Sequence, residues 1–283
     1  MPISMQTGLH NAQTILHSLK LENLPQEIFE LQEAMLVLHP NLVTISKIIS
    51  KNPELLGDFL ALCNQILYRD ETNKILDAKT AISLIGLKEV EQLFLACYLE
   101  KNLPKAPSDY NIIKRCKFSA SVASELSHWI KNLNRTETYL ITFMQDVGAI
   151  YLSRYHDPYI SEHLGEQCAM PFSAYHRELM HYQTAHTYLG SLIAHHWKLG
   201  DLMNKSILLH HSKNLNDLEA YDTRLSNMVA LIQLSNAMVT EVFADHYQSP
   251  ELAQAKNNAE SFLKLPKKAI QSGYQTLRQL NKS

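Results

Sequence analysis

A chain of 283 residues, 46% of them hydrophobic, carries enough apolar surface for one large domain or two lobes sharing a core. Its formal charge of −2, with no basic tract, excludes the electrostatic footprint of an obligatory nucleic-acid or anionic-membrane partner. Only 8 glycines and 10 prolines, few β-branched alternations and long runs of 3.6-residue period predict an all-α protein.

Residues 1–20 form an N-terminal extension with one short amphipathic segment, Leu9 to Leu21, whose apolar side is Ile15, Leu16 and Leu19; it packs as an extra helix or stays loose. The first residues lack the basic-then-apolar layout of a signal peptide, and no apolar run approaches the length of a bilayer span. Cys63, Cys97, Cys116 and Cys168 are scattered without a CxxC pair, as expected of reduced thiols in a cytoplasmic protein.

Residues 21–107 read as a helical lobe. Pro25 belongs in the first turn of a helix, where its missing N–H costs nothing, and Pro40-Asn41 separates that helix from the next. Asn52-Pro53 pairs an N-cap with a first helical residue, and the helix it opens carries Leu56, Phe59, Cys63 and Ile66 on one face with polar Asn64 among them. Asp77 caps a helix that Gly86 stops, and another helix runs from about Lys88 to Glu100. This block of helices ends at Pro104 and Pro107, the best lobe boundary in the chain.

A second lobe, 108–248, is predicted to contain helices at about 110–132, 136–155, 182–199, 201–212 and 217–247, with an irregular stretch at 156–172. Pro250 and Pro266 then open amphipathic segments of a tail, 249–283. The stretch Thr136 to Leu152 is apolar almost all round, the mark of a central helix, yet Asp146 sits inside it. An unpaired carboxylate in a core costs several kcal/mol, roughly, so Asp146 requires a metal, a histidine or a backbone donor.

Candidate partners lie further along. His186, Gly190, Ile193 and Trp197 share one helical face, with glycine admitting a close neighbour, whereas His195 points to solvent. His210-His211 closes the apolar run that begins at Lys205. Asp146, His186, His210 and His211 are a ligand set for one hard or borderline metal ion, or equally a hydrogen-bonded cluster. His156-Asp157 adjoins Pro158 in loop-like sequence and reads as surface. No GxGxxG, Walker or GxSxG pattern occurs, and no cysteine has a context that depresses its pKa.

The order of these features carries more weight than any one. Leu24-Pro25, Ile48-Ile49-Ser50-Lys51-Asn52-Pro53-Glu54-Leu55, Leu62-Cys63-Asn64 and Ala81 to Leu87 are followed by Ser119 to Ala123, Phe143 to Gly148, Glu178, His186, Gly190, Trp197 and His210-His211. Over residues 20–245 this series resembles the HDOD domain, the non-catalytic relative of the HD and HD-GYP metal-dependent phosphohydrolases. The resemblance implies an HD-domain-like multi-helix bundle with an N-terminal five-helix lobe. It also implies that the ligand positions of the hydrolases fall here on Phe118, Gln145, Asp146, His186, His210, His211 and Asn236.

Phenylalanine cannot ligate, and neutral glutamine and asparagine replace the imidazole and carboxylate that a binuclear centre needs to acidify water. Loss of those donors leaves Asp146, His186, His210 and His211, and favours a dry cluster in which Asp146 pairs with an imidazolium and no cofactor is held. The implied role is a regulatory module in bacterial signal transduction that binds a protein partner or a small signalling ligand. The competing expectation is a mononuclear phosphohydrolase with one divalent ion, acting on a nucleotide or cyclic dinucleotide. Residues 156–172 and the tail after Pro250 are the segments where an interaction surface is expected, and no pattern sets an oligomeric state.

Overall fold

Several helices in this protein begin on a side chain that accepts a main-chain N–H, namely Ser4, Asn41, Asn52, Asp77, Asn134, Asn214 and Ser249. In the computed structural model, which describes residues 4–67, 72–243 and 249–281 and omits the side chain of His163, the described residues are helical throughout, with no strand. The chain separates into two units, Asn23–Lys105 and Met1–Glu22 with Ala106–Ser283.

The unit Asn23–Lys105 contains α2 (Gln26–Leu36), α3 (Leu42–Ile49), α4 (Pro53–Ile66), α5 (Ala78–Ile85) and α6 (Leu87–Asn102). Asn52 accepts from the N–H groups of Glu54 and Leu55 and Asp77 from that of Thr80, so α4 and α5 begin on their expected caps, and Asn41, expected only to separate two helices, caps α3 by accepting from Val43 and Thr44. Gly86, with φ of 102°, turns α5 directly into α6, a conformation that strains other residues. The core gathers Ile28, Leu31, Ile45, Ile49, Phe59 and Phe94, the two rings edge to face at 5.9 Å. Asn64 fastens the connection into α5: its amide donates to the Leu60 and Ile75 carbonyls at 2.8 and 3.0 Å and accepts from Ile75 N at 2.7 Å.

The other unit joins α1 (Met5–Ser18) to everything after Lys105, so the N-terminal segment is an ordered helix of this unit. Ser4 caps it, and it lies along α12 (His186–His196), where Thr184 donates to the Gly8 carbonyl at 2.8 Å and Trp197 Nε1 to the Glu22 carbonyl at 2.8 Å. The remaining helices are α7 (Pro107–Ser127), α8 (Arg135–Met144), α9 (Val147–Tyr155), α10 (Gly165–Ala169), α11 (Pro171–Tyr182), α13 (Asp201–Leu209), α14 (Leu215–Tyr221), α15 (Thr223–Phe243), α16 (Pro250–Leu263) and α17 (Lys267–Leu280). The proline-led segments of the tail bury Leu252, Ala255, Ala259, Ala269 and Leu277, the last three in one core with Val122, Leu126 and Met238.

Four expected helix limits give way to tertiary demands. The helix expected over 136–155 is broken at Gln145 and Asp146, the latter at φ −105° and ψ 17°, so α8 and α9 are separate. The stretch 156–172 is not irregular but contains a π-helical turn, Ile160–Leu164, and α10. Helix α11 escaped the periodicity reading because its buried face carries Glu178 beside Phe172 and Ala174. The helix expected from 182 starts only at His186, after Gln183 adopts a left-handed φ of 54°, and the one expected over 217–247 divides at Asp222, whose carboxylate accepts from Arg224 N at 2.8 Å and restarts the chain as α15. The end of that expectation, beyond Phe243, lies outside the described residues.

Candidate functional site

The break between α8 and α9 delivers the Asp146 side chain, 2% exposed, to the centre of the second unit. Gly148, two residues on, makes this possible: a Cβ there would stand 1.9 Å from the His186 carbonyl oxygen and 2.5 Å from Gly190 N. Helices α9 and α12 thus meet backbone to backbone, and His186, at the first position of α12, is brought over Asp146.

Asp146, His186, His210 and His211 do converge. The Asp146 Oδ1 lies 3.6 Å from His186 Nε2 and 3.7 Å from His210 Nε2. His186 Nε2 is 3.3 Å from His210 Nε2 and 3.2 Å from His211 Nε2. The opposite nitrogens are committed elsewhere: His186 Nδ1 donates to Glu178 Oε2 at 2.8 Å and His210 Nδ1 to the Ile207 carbonyl at 2.8 Å. Those bonds fix the tautomers and leave lone pairs on Nε2 facing one another, an arrangement that needs a proton or a cation between them. Tyr175 stacks on His211 at 4.8 Å and holds that ring in place.

The principal partner of Asp146 is Arg115 on α7, whose Nη2 donates to Asp146 Oδ2 while Nη1 reaches Cys168 Sγ at 2.7 Å. An imidazolium was expected in that role. The imidazoles take the second place, because Oδ1 faces them at hydrogen-bond distances too long for a strong pair. Burial alone would raise the Asp146 pKa, but Arg115, His186 and His210 together hold it below the usual carboxylate range.

Glu178, completely buried on α11, anchors the other side. It accepts from Tyr159 Oη at 3.1 Å, Gln167 Nε2 at 2.6 Å, His186 N at 2.6 Å and His186 Nδ1. Burial opposes a charged His186, yet Glu178 and Asp146 hold its pKa above that of free imidazole. Burial and the neighbouring His186 charge lower His210 to about 4, and His211 is likewise driven well down.

These shifts set a pH dependence whose sign follows from proton binding. Between pH 6.5 and 4 the unfolded chain takes a proton on His210 that the folded chain refuses, so stability falls as pH drops through that window. His211 acts in the same sense; His186 contributes below its unfolded value and loses that contribution as pH rises through its raised one. Urea midpoints measured at pH 7.5 and pH 5 are expected to show a loss of about 2 kcal/mol from His210 at the lower pH. His210→Asn is expected to lack that loss, and a pH dependence identical to the wild type's would mean that the ring is protonated in the fold.

The positions expected to have lost their ligands hold neutral side chains, two of them bonded to each other. Gln145 and Asn236 exchange reciprocal amide hydrogen bonds, both at 2.8 Å, and Ser119 donates to Asn236 Oδ1 at 2.7 Å. Phe118 stacks on Phe243, centroids 4.7 Å apart and 7° from parallel. A cavity of about 30 Å³ remains beside Asp146, Arg115, His210 and His211, lined also by Asn236, by Phe172 of α11 and by Leu252 and Ala255 of α16. As expected, His195 is exposed, whereas Trp197 is buried with Gly190 and Ile193.

The profile of the HDOD domain matches residues 21–213. The chain belongs to the HDOD domain family. An HDOD domain protein of unknown function from Geobacter sulfurreducens superposes with a TM-score of 0.64 at 16% identity, over 99% of this chain and 95% of that one. A provisionally named phosphohydrolase from Shewanella amazonensis SB2B gives 0.63 at 17% identity, over 95% and 100%. A provisionally named signal transduction protein from Marinobacter aquaeolei VT8 gives 0.67 at 14%, over 98% of this chain and 65% of that one. At these identities the likeness is one of fold. No curated protein matches the chain, and among the described residues no helix is long and apolar enough to cross a membrane.

The sequence reading placed Glu178 and Gly148 in the HDOD pattern without roles, and missed Arg115 entirely. A signal for Arg115 existed: it precedes Phe118 by one helical turn, and so shares a face with a position already assigned to the site.

Proposed function

We propose that this HDOD protein is a non-catalytic regulatory module of bacterial signal transduction, acting by association with a protein partner or a small signalling ligand. The observation that carries this reading is the Gln145–Asn236 amide pair, a neutral and hydrogen-bonded unit where a hydrolytic binuclear centre requires charged or imidazole donors. Two features support it. Arg115 already neutralises Asp146. The 30 Å³ cavity has room for one or two waters, with Leu252 and Ala255 of α16 among its lining residues.

The convergence of Nε2 lone pairs favours a second reading, one divalent ion held by His186, His210, His211 and Asp146. For a metal–nitrogen distance of about 2.0–2.1 Å the edge of a tetrahedron is about 3.3 Å, and the imidazole nitrogens stand 3.3 and 3.2 Å apart, so the three imidazoles fit, while Asp146 Oδ1, at 3.6 and 3.7 Å from His186 and His210, would have to move closer. Bound there, the ion would supply Lewis-acid polarisation of an oxygen ligand. Glu178 would orient His186 for it, while Arg115 keeps Asp146 Oδ2 engaged and its positive charge opposes the ion.

Both readings are tested on one preparation, purified without chelator. Protein supplied with Mn²⁺, Fe²⁺ or Zn²⁺ is expected to leave a panel of nucleotides, cyclic dinucleotides and p-nitrophenyl phosphate unhydrolysed, and elemental analysis is expected to find the same transition-metal content in the wild type and in Asp146→Asn. Turnover that disappears in Asp146→Asn, with the fold intact, overturns the regulatory reading. Metal that survives dialysis and is lost in the same variant supports the second.

A further inference from the structure

Outside the central cluster, another set of metal-ligating side chains meets on the surface of the same unit. His156 ends α9, Glu162 lies in the π-helical turn Ile160–Leu164, and His181 sits in the last turn of α11. One ligand atom from each lies within 4.8 Å of the other two. His156 Nε2 and Glu162 Oε2 are 3.3 Å apart, already at the edge length of a tetrahedral site with bonds of about 2.0–2.2 Å.

The surroundings hold these groups in place. Tyr182 packs edge-on against both imidazoles, with centroids 5.4 Å from His156 and 4.6 Å from His181, and against Tyr159 at 5.8 Å. Tyr159, buried just before the π-helical turn, is tied to Glu178 on α11, so the turn that carries Glu162 is fastened to the helix that carries His181. His156 and Glu162 keep 36% and 44% of their side chains exposed, and His181 is exposed as well. The exposed side leaves room for a water as a further ligand. A π-helical turn is itself costly, and such turns recur at functional sites because they re-aim a side chain.

We propose that His156, His181 and Glu162 form a surface site for a divalent transition ion, zinc above all, with water completing its coordination. Two imidazoles and a carboxylate are a borderline donor set that suits zinc and is poor for magnesium or calcium. The ion would lock the end of α9, the π-helical turn and the end of α11 together, at the edge of the segment 156–172. It is distinct in residues from the buried cluster around Asp146 and does not depend on how that cluster is occupied.

The test is calorimetric titration of the full, metal-stripped chain with zinc chloride, set beside the His156→Ala/His181→Ala double variant. The double variant is expected to lose one equivalent of zinc, with that equivalent weakened at least about 100-fold. Any zinc taken by the buried histidines appears in both proteins and cancels. Glu162→Gln and His181→Ala, both at exposed positions, keep the experiment decisive if the change at His156 disturbs α9; each is expected to weaken the same equivalent about 10-fold or more. Cobalt bound in place of zinc is expected to show the visible absorption of a tetrahedral N/O site in the wild type and to lose it in the double variant. Equal stoichiometry and affinity in wild type, Glu162→Gln and His181→Ala would overturn the proposal.

Discussion

Asp146→Ala is expected to lower the stability of the folded chain by about 3–5 kcal/mol, the range found when one partner of a buried ion pair is removed. The Asp146 carboxylate is 2% exposed and lies between the Arg115 guanidinium and the His186 and His210 rings. Its removal leaves a cation and a raised-pKa imidazole facing each other without the anion that separates them. Urea unfolding at neutral pH reads the loss directly, and a midpoint within error of the wild type would show that water or rearrangement compensates. Asp146→Leu combined with Arg115→Met is expected to recover most of the loss, because both charges then disappear and no group is left buried unpaired. Failure of that pair would assign the stabilising role to the histidines and not to Arg115.

Gly148→Ala is expected to be at least as damaging, on the order of 3 kcal/mol or more, with unfolding on expression a likewise expected result. A Cβ at Gly148 meets main-chain atoms, the His186 carbonyl oxygen at 1.9 Å and Gly190 N at 2.5 Å, and main chain cannot rotate away. Gly190 provides the contrast within the same contact. A Cβ there meets the Ile207 Cγ2 at 2.8 Å, a side-chain methyl that can shift, so Gly190→Ala is expected to cost about 1 kcal/mol, at the low end for overpacking. Thermal melts of the two variants check the order, and a Gly148→Ala protein as stable as Gly190→Ala would mean that α9 and α12 are not held at the separation described.

The relation between these two glycines was partly visible in the sequence. Gly190 stands on the face of His186, Ile193 and Trp197, which marks it as a point of close approach, but nothing local says that the approaching element is Gly148. Helix α11 shows the opposite difficulty. Its face contains Glu178, and a charged residue there reads as solvent-facing until Tyr159, Gln167 and His186 are seen to donate to it.

What the sequence determined by itself is local or chemical in kind. The caps at Asn41, Asn52 and Asp77 and the helical period follow from hydrogen bonds and side-chain directions within a few residues, so they are settled before the chain folds. That Phe118, Gln145 and Asn236 offer neither an imidazole nor a carboxylate follows from residue type alone. Only the tertiary structure decided that Arg115, 31 residues from Asp146, neutralises it, that Glu178 aims His186, and that α16 lines the cavity beside them. Those outcomes depend on the path of the chain between distant helices; helical spacing puts Arg115 on the face of Phe118 but does not say that Asp146 is its partner.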